Sequence, residues 1–168
     1  MDCVRNEVKE VKTRWFHVVA KLCKFVGLYR LILDREEKRP YLHRYYLLNT
    51  RWIRCVFPKL SYRIVLHNTV LSDDDGLHDH PWPWWSRILS GGYDEHLPGD
   101  RIVWRGPEGG WRHRKSTDYH RLVLNPESKD ETWSLFIMGP KEKPWGFLDK
   151  DGEWVEASEY IANRRVYY

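Results

Sequence analysis

The sequence predicts an all-β protein, a small β-barrel preceded by a helical segment, and three observations point to it. Ten Trp and ten Tyr among 168 residues are residue types that favour pleated, half-buried surfaces. From residue 41 onward, short aromatic and aliphatic runs alternate with turn residues at regular intervals, the pattern of a sandwich or closed barrel. The period of the apolar pattern also changes at Pro40, from steps of three and four to steps of two. The reading is one domain over residues 1–168, with a helical extension over 1–40 and a barrel over 41–168.

Val8, Val11, Trp15, Val18, Val19, Leu22, Phe25 and Val26 recur at helical spacing and predict one buried stripe. Gly27 marks a break, after which the helix is expected to resume through Tyr29, Leu31, Ile32 and Leu33 until Pro40 stops it. This extension has an apolar stripe to bury, against the barrel wall or a second copy of the chain. Strands are expected over Tyr41 to Leu48, Arg51 to Phe57, Ser61 to Leu71, Trp84 to Leu89, Arg101 to Arg105, Tyr119 to Leu124, Thr132 to Met138 and Gly152 to Val155. Asp73-Asp74-Asp75-Gly76 has turn chemistry, and Pro107-Glu108-Gly109-Gly110 reads as a hairpin connection.

Charge and composition exclude several classes. The net charge of +4 comes from 28 basic and 24 acidic residues, too even a balance for a dedicated nucleic-acid binder. The excess of Lys and Arg before residue 40 reads as a solvated helix face. Three widely spaced cysteines with no CxxC make neither a disulfide framework nor a zinc ribbon, and reduced thiols fit a cytoplasmic protein. The mean hydropathy of −0.69, and the lysines that interrupt the stretch from Trp15 to Leu33, argue against a membrane span.

The chemistry centres on Gly76-Leu77-His78-Asp79-His80-Pro81. Two histidines one residue apart share a strand face, because side chains alternate with period two, and both imidazoles then reach one ion. Asp79 falls on the opposite face. His120 opens an apolar strand, as an inward ligand would. His113 competes for the third position, but Arg112, Arg114 and Lys115 flank it and repel a cation, so it reads as a surface residue. His67 is a candidate to orient a ligand from behind. His17, His43 and His96 read as structural or surface residues.

These residues resemble the cupin superfamily. Its first motif runs glycine, HxH, glutamate, glycine, matched here by Gly76, His78, His80, Trp84 or Trp85, and Gly91 or Gly92. The second motif ends in a histidine, a short strand and an asparagine, matched by Tyr119-His120-Arg121-Leu122-Val123-Leu124-Asn125. The resemblance covers about residues 60–140. The stretches LHDHPW, LSGGY, YHRLVL and WGF are also similar to small bacterial and phage cupin-like proteins. It implies a cupin-type jelly-roll β-barrel with His78, His80 and His120 holding a divalent metal.

The glutamate ligand of that family is replaced by tryptophan. Two completions follow: a three-histidine site like that of the thiol dioxygenases, or Glu95 as a substitute carboxylate. The first is favoured, with Glu95 as fourth ligand or acid/base. Three neutral imidazoles leave the ion its full charge and open positions, which suits Fe(II) with dioxygen and an anionic substrate; Zn, Mn and Ni are the other candidate ions. Arg87 and Arg121, on strands near the histidines, are candidates to grip a carboxylate or phosphate. Trp82, Trp84, Trp85, Tyr93, Trp104, Trp111 and Tyr119 are candidate cavity walls. The expected function is a metal-dependent oxygenase acting on a small molecule. A non-redox isomerase, epimerase or lyase, and a non-enzymatic metal- or ligand-binding barrel whose basic helix meets a partner, are the alternatives. A homodimer through sheet edges is the expected assembly.

Overall fold

The computed structural model describes residues 2–34, 37–49, 61–73 and 76–163, with side chains from residue 14 onward. The strand expected over Arg51 to Phe57, and Asp74 and Asp75 of the acidic turn, lie outside the described residues. Helix α1 (Asp2–Phe25) leads into β1 (Tyr29–Leu33), β2 (Pro40–Asn49), β3 (Arg63–Thr69), β4 (Trp84–Ser90), β5 (Tyr93–Leu97) and β6 (Arg101–Arg105). Then follow β7 (Arg112–Arg114), β8 (Arg121–Val123), β9 (Thr132–Met138), β10 (Gly146–Leu148), β11 (Trp154–Glu156) and a short helix α2 (Ala157–Ala162).

The strands form the two facing sheets of a jelly roll. One is six-stranded and antiparallel, in the order β1-β2-β3-β9-β4-β7. The other face begins as β6-β5-β8 and continues to the pair β10-β11. The segment carrying the two histidines runs between β8 and β10 and hydrogen-bonds to both. His78 exchanges both backbone hydrogen bonds with His120, at 2.9 Å each, while Leu148 N–H donates to the Leu77 carbonyl and Asp79 N–H to the Gly146 carbonyl. This makes one continuous wall opposite the six-stranded sheet.

Strand alternation divides side chains between the interior and the outside. On β3 and β9, His67, Thr69, Ser134 and Phe136 line the interior, while Leu66 and Trp133 form a core on the outer side with Tyr45, Ala20 and Cys23. Helix α1 covers that outer side, which is the barrel-wall packing expected of it. The buried stripe is a correction to the expected one. Phe16, Val19, Ala20 and Cys23 meet the sheet, whereas Trp15, Val18, Leu22, Phe25 and Val26 stay exposed. Small Ala20 and Cys23 let the helix axis come close to the aromatic surface of Tyr45 and Trp133, which a row of larger side chains would hold off.

The helix also stops where the sequence pattern seemed to resume it. Gly27 has φ +74°, and Leu28 N–H donates to the Cys23 carbonyl while Gly27 N–H donates to that of Lys24. This is a Schellman cap, and it turns the chain sharply. Tyr29 to Leu33 then pairs with β2, Tyr29 opposite Tyr45. A five-residue run with four apolar or aromatic side chains fits both periods, and tertiary pairing selects the strand.

Pro107–Gly109 is a short 3-10 turn and not a hairpin, because β6 and β7 belong to opposite sheets. The link from β4 to β5 also changes sheets, at Gly91 and Gly92. Both have positive φ, and a Cβ on Gly92 would lie 2.5 Å from the Arg105 carbonyl oxygen. Only glycine meets both demands.

Trp133 is fully buried and stacks with Phe16 at 5.4 Å and Tyr45 at 6.0 Å. Trp133→Ala is expected to cost about 3–5 kcal/mol in urea unfolding. An unchanged midpoint would show that α1 is not part of the cooperative core.

Candidate metal centre

Residues opposite one another in an antiparallel ladder point to the same face, and so do residues two apart on one segment. The His78–His120 bridge therefore places both side chains inward, and His80 joins them. Their ring centroids stand 5.3, 5.0 and 5.1 Å apart. One ligand nitrogen from each lies within 4.8 Å of the others. Among the described residues this is the cluster able to hold a metal ion.

The donors fit a metal. Two nitrogens bound to one ion at about 2.0–2.1 Å sit roughly 2.9 Å apart at a right angle and 3.3 Å apart at the tetrahedral angle. The Nε2 atoms of His80 and His120 are 2.8 Å apart. Burial, followed by the neighbouring His120, His78, Arg44 and His67, holds His80 well below the usual imidazole range. It is neutral near pH 7, the form that ligates.

Glu95 is placed behind His120 and not in the converging set. Its Oε1 accepts the Nδ1–H of His120 at 3.0 Å, which leaves the His120 Nε2 lone pair facing His80. Its Oε2 accepts from Arg105 Nε and Arg114 Nη2, both at 2.6 Å. Burial alone would raise the Glu95 carboxyl, but the hydrogen bond from His120 and the charges of Arg114 and Arg105 outweigh it and hold the carboxyl at about 2. A carboxylate so fixed orients its histidine.

Asp79 turns away, as its position between two inward residues requires. Its carboxylate is 1% exposed and accepts from Gly146 N–H at 2.8 Å, Trp154 Nε1–H at 3.1 Å and the Lys143 ammonium. Asp73 accepts from Leu122 N–H and the Tyr41 hydroxyl, and one of its oxygens stands 4.0 Å from His78 Nδ1. Trp84 packs against the cluster, its ring edge-on to His80 at 4.3 Å.

The three histidines open onto an interior cavity of about 450 Å³, within the range of small-molecule sites. Of the expected aromatic walls, Trp82, Trp84 and Tyr93 line it, and Trp145 and Phe147 join them; Trp85, Trp104, Trp111 and Tyr119 do not. Trp85 faces out and stacks on His113 at 4.6 Å, which confirms His113 as a surface residue.

The two arginines expected to grip substrate are corrected by the same alternation. Arg87 is exposed between buried Ser86 and Ile88. Arg121 lies between cavity-lining His120 and Leu122, and its Nε donates to the Asp73 carbonyl at 3.2 Å. The arginines that do line the cavity are Arg30 and Arg44, and Arg44 faces it beside His67. Its Nε donates to His67 Nε2 at 3.0 Å. Burial and the adjacent Arg44 charge keep His67 well below its ordinary range, so it is a neutral acceptor. The sequence did hold a signal: Arg44 is in period-two register with Leu42, which also lines the cavity.

No protein-family model matches the chain, and no curated protein matches it. Solved structures do. The polyketide cyclase RemF from Streptomyces resistomycificus is similar at 19% identity and a TM-score of 0.51, over 80% of this chain and 87% of that one. A protein with a cupin-like fold from Ralstonia eutropha JMP134 gives 10% identity and a TM-score of 0.49, over 84% and 82%. A structure of DMSP lyases gives 17% and 0.47, over 66% of this chain and 55% of that one, so the chain spans about half the length of that lyase. The fold is the cupin-like jelly roll, and the three-histidine cluster lies on the wall of its interior cavity.

Glu95 contributes stability that is complete above about pH 4.5, its ordinary value, and is lost as pH falls from there through its folded value of about 2. In chelator-treated protein, Glu95→Gln is expected to be less stable than wild type at pH 7 by on the order of 3 kcal/mol. The difference should shrink across that acid window. Parallel stability curves from pH 6 to pH 2.5 would show that Glu95 is not ionised by its neighbours.

Proposed function

We propose that the chain is a metal-dependent cupin enzyme, an Fe(II) oxygenase that acts on a small organic molecule, with His78, His80 and His120 as the protein ligands. The convergence of three imidazole nitrogens within 4.8 Å on a cavity wall carries this reading. Fe(II) bound there supplies one-electron chemistry with dioxygen and Lewis acidity toward the substrate. An ion held there would have no carboxylate among its three protein ligands, the nearest being Glu95 behind His120.

The chain's own groups have definite parts in this scheme. Glu95 holds the Nδ1 proton of His120 and so keeps Nε2 available as a donor. Trp84 packs against both His80 and His120, at 4.3 and 5.3 Å between ring centroids, and fixes their orientation while excluding water. Trp82, Trp145, Phe147 and Phe136 give the cavity apolar walls. Trp145 and Phe147 also stand beside His78, at 6.2 and 5.7 Å.

Elemental analysis tests the site before any substrate is sought. Wild-type protein reconstituted anaerobically with Fe(II) is expected to hold one ion per chain. His78→Ala and His120→Ala should lose it, and Glu95→Gln should bind about 10–100-fold more weakly. Variants that hold metal like wild type would sink the assignment. Oxygen consumption by the iron-loaded protein over a panel of small organic acids and thiols then tests the reaction. Turnover without oxygen by zinc-loaded protein would replace the oxygenase with a Lewis-acid isomerase or lyase.

A further inference from the structure

Three carboxylates border the cavity, and each is already engaged within the protein. Asp34 takes the backbone N–H of Arg39 at 2.7 Å and its guanidinium at 3.3 Å. Asp73 takes Leu122 N–H and the Tyr41 hydroxyl, and Glu95 takes two guanidinium groups and His120. Arg44 is placed differently. Its hydrogen-bond partner through Nε is the neutral ring of His67, with the side chain of Tyr46 beside it. Among the described residues no carboxylate forms an ion pair with it. A neutral acceptor fixes the plane of a guanidinium and leaves its charge uncompensated.

A second arginine, Arg30 on β1, borders the same cavity. It stands directly opposite Arg44 in the β1–β2 ladder, so two guanidinium-bearing residues are paired at this part of the wall. Between His67, which holds Arg44, and His80 stands the ring of Phe136, 5.0 and 6.4 Å from the two imidazoles; Leu42 and Trp84 line the same cavity together with the polar Thr69, Ser86 and Ser134. Burying a guanidinium in such walls without an anion is costly, whereas a bound carboxylate accepts from it in paired, charge-assisted bonds. A fully positive pole at one end and a three-imidazole cluster at the other, with aromatic surface between, match one kind of molecule.

We infer that Arg44, oriented by His67, is the specificity-determining anion site of this cavity and that the substrate is a small carboxylate with an apolar or aromatic body. That the bound carboxylate is a substrate rests on the reading of the three histidines as a metal centre; the anion site itself does not. The carboxylate sits on Arg44, and the body of the molecule extends along Phe136 and Trp84 toward the histidines. Arg44 binds and positions; it is not assigned a part in bond breaking.

Benzoate is the probe, with benzamide as its uncharged isostere and inorganic phosphate as an anion without an apolar body. Each is titrated into the full chain, chelator-treated and Fe(II)-loaded under anaerobic conditions, and binding is read from tryptophan fluorescence and the thermal midpoint. Benzoate is expected to bind both forms, and benzamide and phosphate at least tenfold more weakly. Arg44→Gln should weaken benzoate at least tenfold in the chelator-treated protein, and Arg44→Lys should recover part of it. Metal content of the same samples scores the other reading separately. Benzoate uptake that depends on Arg44 in protein that never takes up metal overturns the metal centre and leaves the anion site standing. Protein that takes up metal and binds benzoate equally with Gln at position 44 overturns the anion site alone. If Arg44→Gln does not fold, the wild-type comparison decides: benzamide or phosphate matching benzoate overturns the inference.

Discussion

The pair of backbone hydrogen bonds exchanged between His78 and His120 sets the geometry on which the site depends. It joins segments 42 residues apart and brings two imidazoles to one face at the spacing of directly opposed residues. A slip of one residue at this bridge would send His120 outward and bring Arg121 in. The register is held from both sides by buried acids. Asp73 receives the backbone N–H of Leu122, and Asp79 receives that of Gly146. The acid between the two histidines is thus the anchor that fixes the histidine segment to β10, and its outward direction is what lets the histidines face in.

Charge is arranged in two different ways around the cavity. On the Glu95 side, one carboxylate meets His120 and two guanidinium groups, each within hydrogen-bonding distance, so both arginines there have an anionic partner. On the Arg44 side, a guanidinium meets a neutral imidazole and another positive group. The first arrangement holds a ring in place; the second leaves an unmet electrostatic demand inside the barrel. Trp84 stands against the imidazoles of His80 and His120 and brings no charge to them. The unmet charge is therefore local to the Arg44 side, since Asp34, Asp73 and Glu95 border the same cavity.

Helix α1 and the six-stranded sheet form a separate structural unit of the argument for stability. Trp133 and Tyr45 present aromatic surface on the outer side, and Ala20 and Cys23 allow the helix to approach it. The inner side of the same strands supplies His67, Arg44, Ser134 and Phe136 to the cavity. Because β2, β3 and β9 are covered on both sides, polar and apolar residues occur on both of their faces. Alternation is consequently weak there as a signal of which side is the interior.

The sequence by itself determined the all-β class, most of the strands, and the two histidines of the HxH pair as a same-face unit, since period-two geometry follows from local backbone alone. It also pointed to His120 through its place at the head of an apolar strand. Tertiary structure decided what depends on pairing. Tyr29 to Leu33 became a strand because β2 offered a partner, and the helix turned a different stripe to the sheet because small side chains permit closer packing. Glu95 moved from candidate ligand to the group behind His120 because β5 pairs with β8, Glu95 opposite Leu122. Arg87 and Arg121 face outward and Arg44 inward for one reason: proximity along the chain to a histidine does not fix a strand face, whereas register against the neighbouring strands does.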